Sequence, residues 1–415
     1  MNPFDVIVVG GGPAGSASAI FLALKGYRVA LLDRAKFPRD KVCGEFISPG
    51  ADPILAELGV LDSMESACET RLQGVAVSAY EKEGFCADYP PLSGRSMTSL
   101  SLQRTIFDSI LWNRAGEVGV ERFEGFQVAD LVFEDGRVAG VSGWDVSRVA
   151  FNMRAQVVID AGGRNAVSLR RLGLKKSAKT TGRLALAAHW EGVPEHISHC
   201  HMHISPPGYT GLAEVAPGKV NIVLVVRPQD VRNRDLHEFY KTSVLRNPLR
   251  AGLLGTARPC EKVRSVDSLA FAVRPPSCGG LLLVGDATGF IDPFTGEGIY
   301  LSLRSAQLAC ETLTKAFALG DFSLAVLDEY ERRRRKENEK KYKLSRLLQG
   351  ILYRPSLCKK VTRVLSQNPD LSARLVGVIG DYIDPEELVS SRFLWDLMLG
   401  ALGKRQTGSE KNKTF

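Results

Sequence analysis

The first 33 residues constrain this chain more than any other part of it. Phe4 to Val9 (FDVIVV) is a short apolar run rich in β-branched residues, and it predicts a buried parallel strand. It runs directly into Gly10-Gly11-Gly12-Pro13-Ala14-Gly15; a helical pattern follows to Gly26, and Arg28 to Leu32 predicts a second strand closed by Asp33. Strand, glycine turn, helix and strand in so short a span make a βαβ unit. Gly10 permits the tight turn, Gly12 lacks the Cβ that would keep a pyrophosphate off the backbone, and Gly15 lets the helix pack against the strand. The helix start at Ala14 offers free N–H groups and partial positive charge to an anion. Asp33, with Arg34 beside it, is placed to accept hydrogen bonds from ribose hydroxyls. The unit predicts a dinucleotide site.

The second half of the chain selects which dinucleotide. Leu281 to Val284 predicts another buried strand, ending in Gly285-Asp286-Ala287 and followed by Gly289, Pro293, Gly296, Gly298 and Ile299. A carboxylate at a strand end suits a sugar-alcohol chain, and the glycines let backbone pass against a flat ring. The next helix, predicted from Gly296 onward, would stabilise negative charge on that ring. Adenosine at the start of the chain and ribityl-flavin near residue 286 fit FAD stretched across one domain. No second GxGxxG follows a strand, so NAD(P)H, or another external electron donor, has no domain of its own here.

At 415 residues, with 44% hydrophobic and 24% charged side chains, the chain has the length of two or three domains and the composition of a globular protein. The fold class expected is α/β: a Rossmann-like FAD-binding domain, an inserted β-sheet-rich substrate domain and a helical C-terminal region. The boundaries read are 1–75, 100–182 and 275–330 for the first, 76–99 and 183–274 for the second, and 331–415 for the third. Strands are predicted over 72–80, 126–133, 137–143 (the last two a hairpin around Asp135-Gly136), 155–159, 184–190, 209–215, 220–226 and 266–273. Helices are predicted over 52–58, 103–115, around 235–252, and from 322 onward with breaks at Pro355, Pro369 and Pro385; residues 404–415 read as a disordered tail. No apolar stretch is long enough to span a bilayer and no signal peptide is evident, so a cytoplasmic location is the default. Eight cysteines without a CxxC pair are expected to be reduced and mostly buried.

Several motifs together resemble the geranylgeranyl reductase family, within the larger group of flavoproteins with the para-hydroxybenzoate hydroxylase fold. They are the Gly10–Gly15 turn, Lys41-Val42-Cys43-Gly44-Glu45, Arg104 with Phe107-Asp108, and Gly285-Asp286-Ala287 through Gly298-Ile299. The resemblance covers roughly residues 1–330. It implies that Cys43 and Gly44 run along the flavin, Arg104 contacts FAD, Val128 packs by the adenine, Asp286 takes the ribityl chain, and Gly298 and Ile299 offer N–H groups to the pyrimidine edge. It also implies a hydrophobic small-molecule substrate near Tyr209, Gly211 and Pro293. Two departures stand out. Gly162-Gly163 replace an Asp-Gly pair that many relatives carry, and Gly211 stands where the reductases often have Trp, which predicts a wider cavity.

The reading that follows is an FAD-dependent oxidoreductase, with a C=C reductase placed first. A monooxygenase is the main alternative. A flavin-dependent halogenase and a non-catalytic redox sensor are lesser ones, the halogenase because no Trp-x-Trp-x-Ile-Pro pattern is present. No catalytic residue is assigned. His199, His201 and His203 alternate on a strand; with no second ligand cluster they predict a half-exposed strand and no metal. Cys43 is read as shaping the flavin site. Residues 331–415 hold 19 of the 54 Lys and Arg against 10 of the 46 Asp and Glu. The run Arg332–Lys336 lacks aromatic interleaving, so no nucleic acid is expected, and pairs such as Glu331–Arg335 are. The basic region and the apolar stretch at 393–399 suggest peripheral membrane contact.

Overall fold

Runs too apolar to face water on either side become the middle of a sheet. In the computed structural model, which describes residues 4–80, 83–176, 182–267, 269–290 and 293–389, strand Phe4–Val9 lies between Val29–Asp33 and Ala150–Asp160, parallel to both. Glu121–Glu124 extends the sheet beyond Val29–Asp33, and Leu281–Leu283 joins Ala150–Asp160 in parallel. Ala150–Asp160 serves two partners: residues 155–160 pair with Phe4–Val9, while residues 150–154 pair antiparallel with Arg137–Trp144. Arg137–Trp144 forms a hairpin with Gln127–Glu134. Its turn residues Asp135 and Gly136 both have positive φ, +48° and +76°, as a two-residue turn matched to strand twist requires. Helices Pro13–Leu24, Arg104–Glu117 and Gly298–Leu319 cover one face of the sheet; the hairpin and the short helix Val167–Arg171 pack on the other.

A second sheet runs Arg258–Pro259, Leu184–Glu191, Lys219–Val226, Gly208–Ala216, His199–Ser205, Gly74–Ala79, Glu83–Asp88, with Arg264–Val266 also paired to Leu184–Glu191. Helices Leu236–Leu245 and Pro248–Leu254 bury its outer face around Trp190, Tyr240 and Leu224. Helices Leu324–Leu352, Pro355–Ser366 and Pro369–Ile379 follow, the last two packing on strand Glu83–Asp88. Pro355 and Pro369 each open a helix, where a missing N–H costs nothing. The architecture is thus the mixed α/β one expected: a Rossmann-like unit, a sheet-rich insertion and C-terminal helices.

Some local expectations differ. The run 72–80 is two strands, because Arg71–Leu72 pairs with Ser99–Ser101 and only Gly74–Ala79 enters the second sheet. The run 266–273 likewise divides, since Phe271–Ala272 leaves that sheet to pair with Gly289–Phe290. The helix expected from Gly296 starts at Gly298: Gly296 has φ +74°, outside helical space, and a Cβ there would lie 2.9 Å from the Phe46 ring. Helix Leu61–Ala67 was not anticipated, and position 331 falls inside one continuous helix. The cysteines are all free, but only Cys310 and Cys358 are buried, while Cys86 and Cys260 are exposed. The arginines of the basic run are paired with neighbouring acids: Arg332 meets Asp328 at 3.3 Å, Arg334 and Arg335 share Glu331 at 2.9 and 2.5 Å, and Arg333 meets Glu311. The stretch 393–399 and the tail 404–415 lie outside the described residues. Among the described residues no helix is long and apolar enough to cross a membrane.

Close approach at the first turn gives a test. A Cβ at Gly15 would stand 1.8 Å from the Gly10 carbonyl oxygen, whereas one at Gly44 meets nothing within 4 Å. Gly15→Ala is expected to destabilise the protein by about 2 kcal/mol or more, read as a lowered Tm, with Gly44→Ala unchanged. Equal melting of the two variants would contradict the packing described.

Candidate cofactor site

The register of the first sheet sets the site. Val9 is level with Leu32 on one side and Asp160 on the other, and Asp160 is level with Leu283. Four strands therefore end along one edge, and the residues after them converge there: Gly10, Asp33, Ala161-Gly162 and Gly285-Asp286. Ligands bind at such carboxyl ends. A cavity of about 1400 Å³ opens at this edge and runs on to the second sheet. That exceeds the roughly 300–1,000 Å³ of ordinary ligand pockets and suits an extended cofactor together with a substrate.

Gly10, Gly12, Ala14, Asp33, Arg34, Cys43, Gly44, Arg104, Val128, Asp286, Gly298 and Ile299 all line this one cavity, and so do Tyr209 and Gly211. Gly15 is not on its wall; it packs under Gly10. Pro293 opens the short turn Pro293–Thr295. Helix Pro13–Leu24 has no side-chain cap and no acid in its first turn, which leaves its first N–H groups for an anion. Asp33 shapes the turn as well as facing the cavity: its Oδ2 accepts the Gly11 N–H at 2.8 Å and its Oδ1 that of Ala35 at 2.8 Å. Arg104 is fully buried and donates twice to Asp108, at 2.8 Å each.

Sequence reading missed the cations around that pair. Arg39 lies 3.1 Å from Asp108 and 3.6 Å from Asp33, and its Nη2 is the one atom near the position a Gly12 Cβ would take. Lys41 is an exposed residue on the cavity wall; desolvation and the neighbouring Arg104 pull its ammonium pKa down, against the pull of Asp286. Lys41 stands at the head of the Lys41–Glu45 motif but was given no role, and Arg39 was marked only by its place in a polar loop after the second strand. At Gly162-Gly163 the missing Asp is answered by Asp160, whose carboxylate accepts the Gly162 N–H at 3.0 Å and the Ser168 N–H and hydroxyl at 2.8 and 2.5 Å. Burial raises its pKa.

The far end of the cavity is different. Val75, Val77, Cys200, Met202, Tyr209, Gly211, Val223 and Val225 line it, alternate residues of strands in the second sheet. Desolvation against the apolar wall pushes the half-buried Cys200 thiol up to about 12. The histidines take the opposite face, and the half-exposed strand expected there is not found at His203, which is 3% exposed and bonded to Ser78 at 2.7 Å. Burial lowers His201 to about 4 and His203 to about 3, so both are neutral. His199 pairs with Asp88 at 2.8 Å.

These residues fit FAD. A Cβ at Gly44 or Gly298 would point into open lumen or barely touch a neighbour, at 3.8 Å for Gly298. Arg39, Lys41 and Arg104 place positive charge on the cavity wall, which suits a diphosphate. Asp286→Ala is expected to lose most bound FAD, measured as flavin absorbance per protein after purification; unchanged content would refute the ribityl assignment.

Comparison with known proteins agrees with the geometry. The FAD binding domain family matches residues 3–344. A menaquinone reductase of Mycolicibacterium smegmatis is 30% identical over 92% of this chain and 93% of its own. A 1H-pyrrole-2-carbonyl-[peptidyl-carrier protein] chlorinase of Pseudomonas fluorescens is 27% identical over 80% of each chain. Several further relatives and solved structures are flavin-dependent halogenases, a class the sequence reading ranked low. A geranylgeranyl bacteriochlorophyll reductase-like structure from Thermoplasma acidophilum shares the fold, with TM-score 0.72, 24% identity and coverage of 95% of this chain and 96% of that one. With its glycine turn, its aligned strand ends and this family match, the chain belongs to the FAD binding domain family and is an FAD-dependent oxidoreductase-type enzyme.

Proposed function

We propose that this protein reduces a carbon–carbon double bond in a hydrophobic, isoprenoid-bearing substrate, with electrons from NAD(P)H or another external donor. The observation that carries the reading is the far wall of the cavity. Among the described residues, the strands Gly74–Ala79, Leu184–Glu191, His199–Ser205, Gly208–Ala216 and Lys219–Val226 offer it no lysine, arginine or carboxylate. Apolar side chains there desolvate an apolar chain and hold it in place. Bound FAD would supply the hydride. A reduced double bond also needs one proton, and Tyr209 and Cys200 are the residues with a protic side chain that these strands contribute to the cavity lining. The menaquinone reductase relative, matched over nearly its whole length, supports a lipid-like substrate.

The halogenase relatives support a second reading, oxidative halogenation. Against it, the strands of that wall bring no lysine or carboxylate to the lumen, and the cations that line the cavity, such as Lys41 and Lys175, come from other segments. Contact with a membrane surface, the source of such a lipid, is part of the proposal.

Two experiments test this. Photoreduced protein, held without oxygen, is expected to be reoxidised rapidly by geranylgeranyl or menaquinone-type substrates, with a saturated product found by mass spectrometry. Reoxidation only with oxygen, and a halogenated product when chloride or bromide is present, would replace this reading with the halogenase one. Gly211 faces Met202, its Cβ position 3.5 Å from the Met202 Sδ, so Gly211→Trp should fill the lumen. Loss of turnover on long-chain substrates with FAD content unchanged is expected; unimpaired long-chain turnover would move the substrate elsewhere in the cavity.

A further inference from the structure

One buried charged cluster has no part in the reading above. Glu45 follows the cavity-lining residues Cys43 and Gly44. It is 2% exposed and has φ +57°, a left-handed conformation that costs energy in a residue with a Cβ. Its Oε1 accepts the Arg104 backbone N–H at 2.8 Å, and its Oε2 lies 2.7 Å from His189 Nε2. The other ring nitrogen, Nδ1, lies 2.8 Å from Glu261 Oε1. Carboxylate oxygens face both ring nitrogens, an arrangement that an imidazolium, with two N–H groups, satisfies and a neutral ring, with one, does not. His189 is level with Asn221 on the neighbouring strand, and Asn221 Nδ2 donates to the Cys43 carbonyl at 2.7 Å. Two adjacent residues of the second sheet thus grip the same three-residue segment on the cofactor wall.

We propose that His189, bridging Glu45 and Glu261, and Asn221 beside it are positioning residues that hold Cys43 and Gly44 in place, so that FAD retention is set from the second sheet. The proposal rests on FAD binding alone and is independent of the reaction assigned above. Burial opposes the charge on His189, and the Glu45 and Glu261 carboxylates overcome it, so the pKa is raised. The other charged and titratable groups around the cluster are Arg104 with its partner Asp108, Arg264, which ties Glu261 to Asp40, Glu191 with its partner Lys219, Cys260, Cys43 and Tyr240. The sign follows from the raised pKa. The grip is complete below the ordinary imidazole value and is lost as pH rises through the folded-state value, when one buried carboxylate loses its donor.

FAD release, followed by recovery of free-flavin fluorescence after dilution, tests this across a pH series that starts below the ordinary imidazole value and runs well above it. The wild-type rate should rise about tenfold with pH, the size of one buried acceptor left without its donor. His189→Gln should release FAD rapidly at every pH, with the pH dependence gone. Glu261→Gln, at a half-buried position that keeps the fold, should move the transition to lower pH. Asn221→Ala should raise the rate uniformly and keep the transition. A flat wild-type profile, a wild-type profile surviving in His189→Gln, or an unmoved transition in Glu261→Gln would overturn the proposal.

Discussion

The parallel pairing of Phe4–Val9 with Val29–Asp33 and Ala150–Asp160 is the constraint on which the rest depends. It brings the four strand ends level, and the turns after them must then share very little space. A Cβ at Gly10 would lie 2.6 Å from the Ala161 carbonyl oxygen, which is why this turn is built from glycine. Two acids hold the turns in shape from inside: Asp33 on the Gly11 amide, and Asp160 on Gly162 and Ser168. A buried carboxylate bonded to backbone N–H groups is a stiff support. The walls that would meet a pyrophosphate are thus fixed without any ligand.

The cavity has two ends because two sheets with different chemistry meet across it. The first sheet contributes backbone N–H groups, Arg39 and Lys41 from the loop after its second strand, and Arg104 from the start of helix Arg104–Glu117. The second contributes alternate apolar residues, a consequence of the two-residue period of its strands. Charge is matched where phosphate belongs and absent where an apolar chain belongs. The junction is the segment Cys43–Glu45, fastened on one side to Arg104 and on the other to His189 and Asn221. The arginines 332–335 pair with Asp328, Glu331 and Glu311 and line no part of this cavity.

What the sequence determined by itself is the local part. The βαβ unit, the glycine turn, Asp33 and the hairpin at Asp135-Gly136 were legible because each follows from hydrophobic period or backbone conformation within a few residues. Asp286 and the glycines after it were legible for the same reason. The tertiary structure alone decided where short runs divide, as at 72–74 and 266–271, because a strand that changes sheets carries no mark of it in its own residues. It alone placed Gly296 outside the helix, through contact with Phe46. It also buried His203 on the far face of the second sheet. And it alone brought Glu45 to His189 and Arg39 to Asp108, residues 144 and 69 positions apart. Pairs so distant cost loop entropy to join and leave no periodic trace, so only the completed packing of the two sheets shows that they meet.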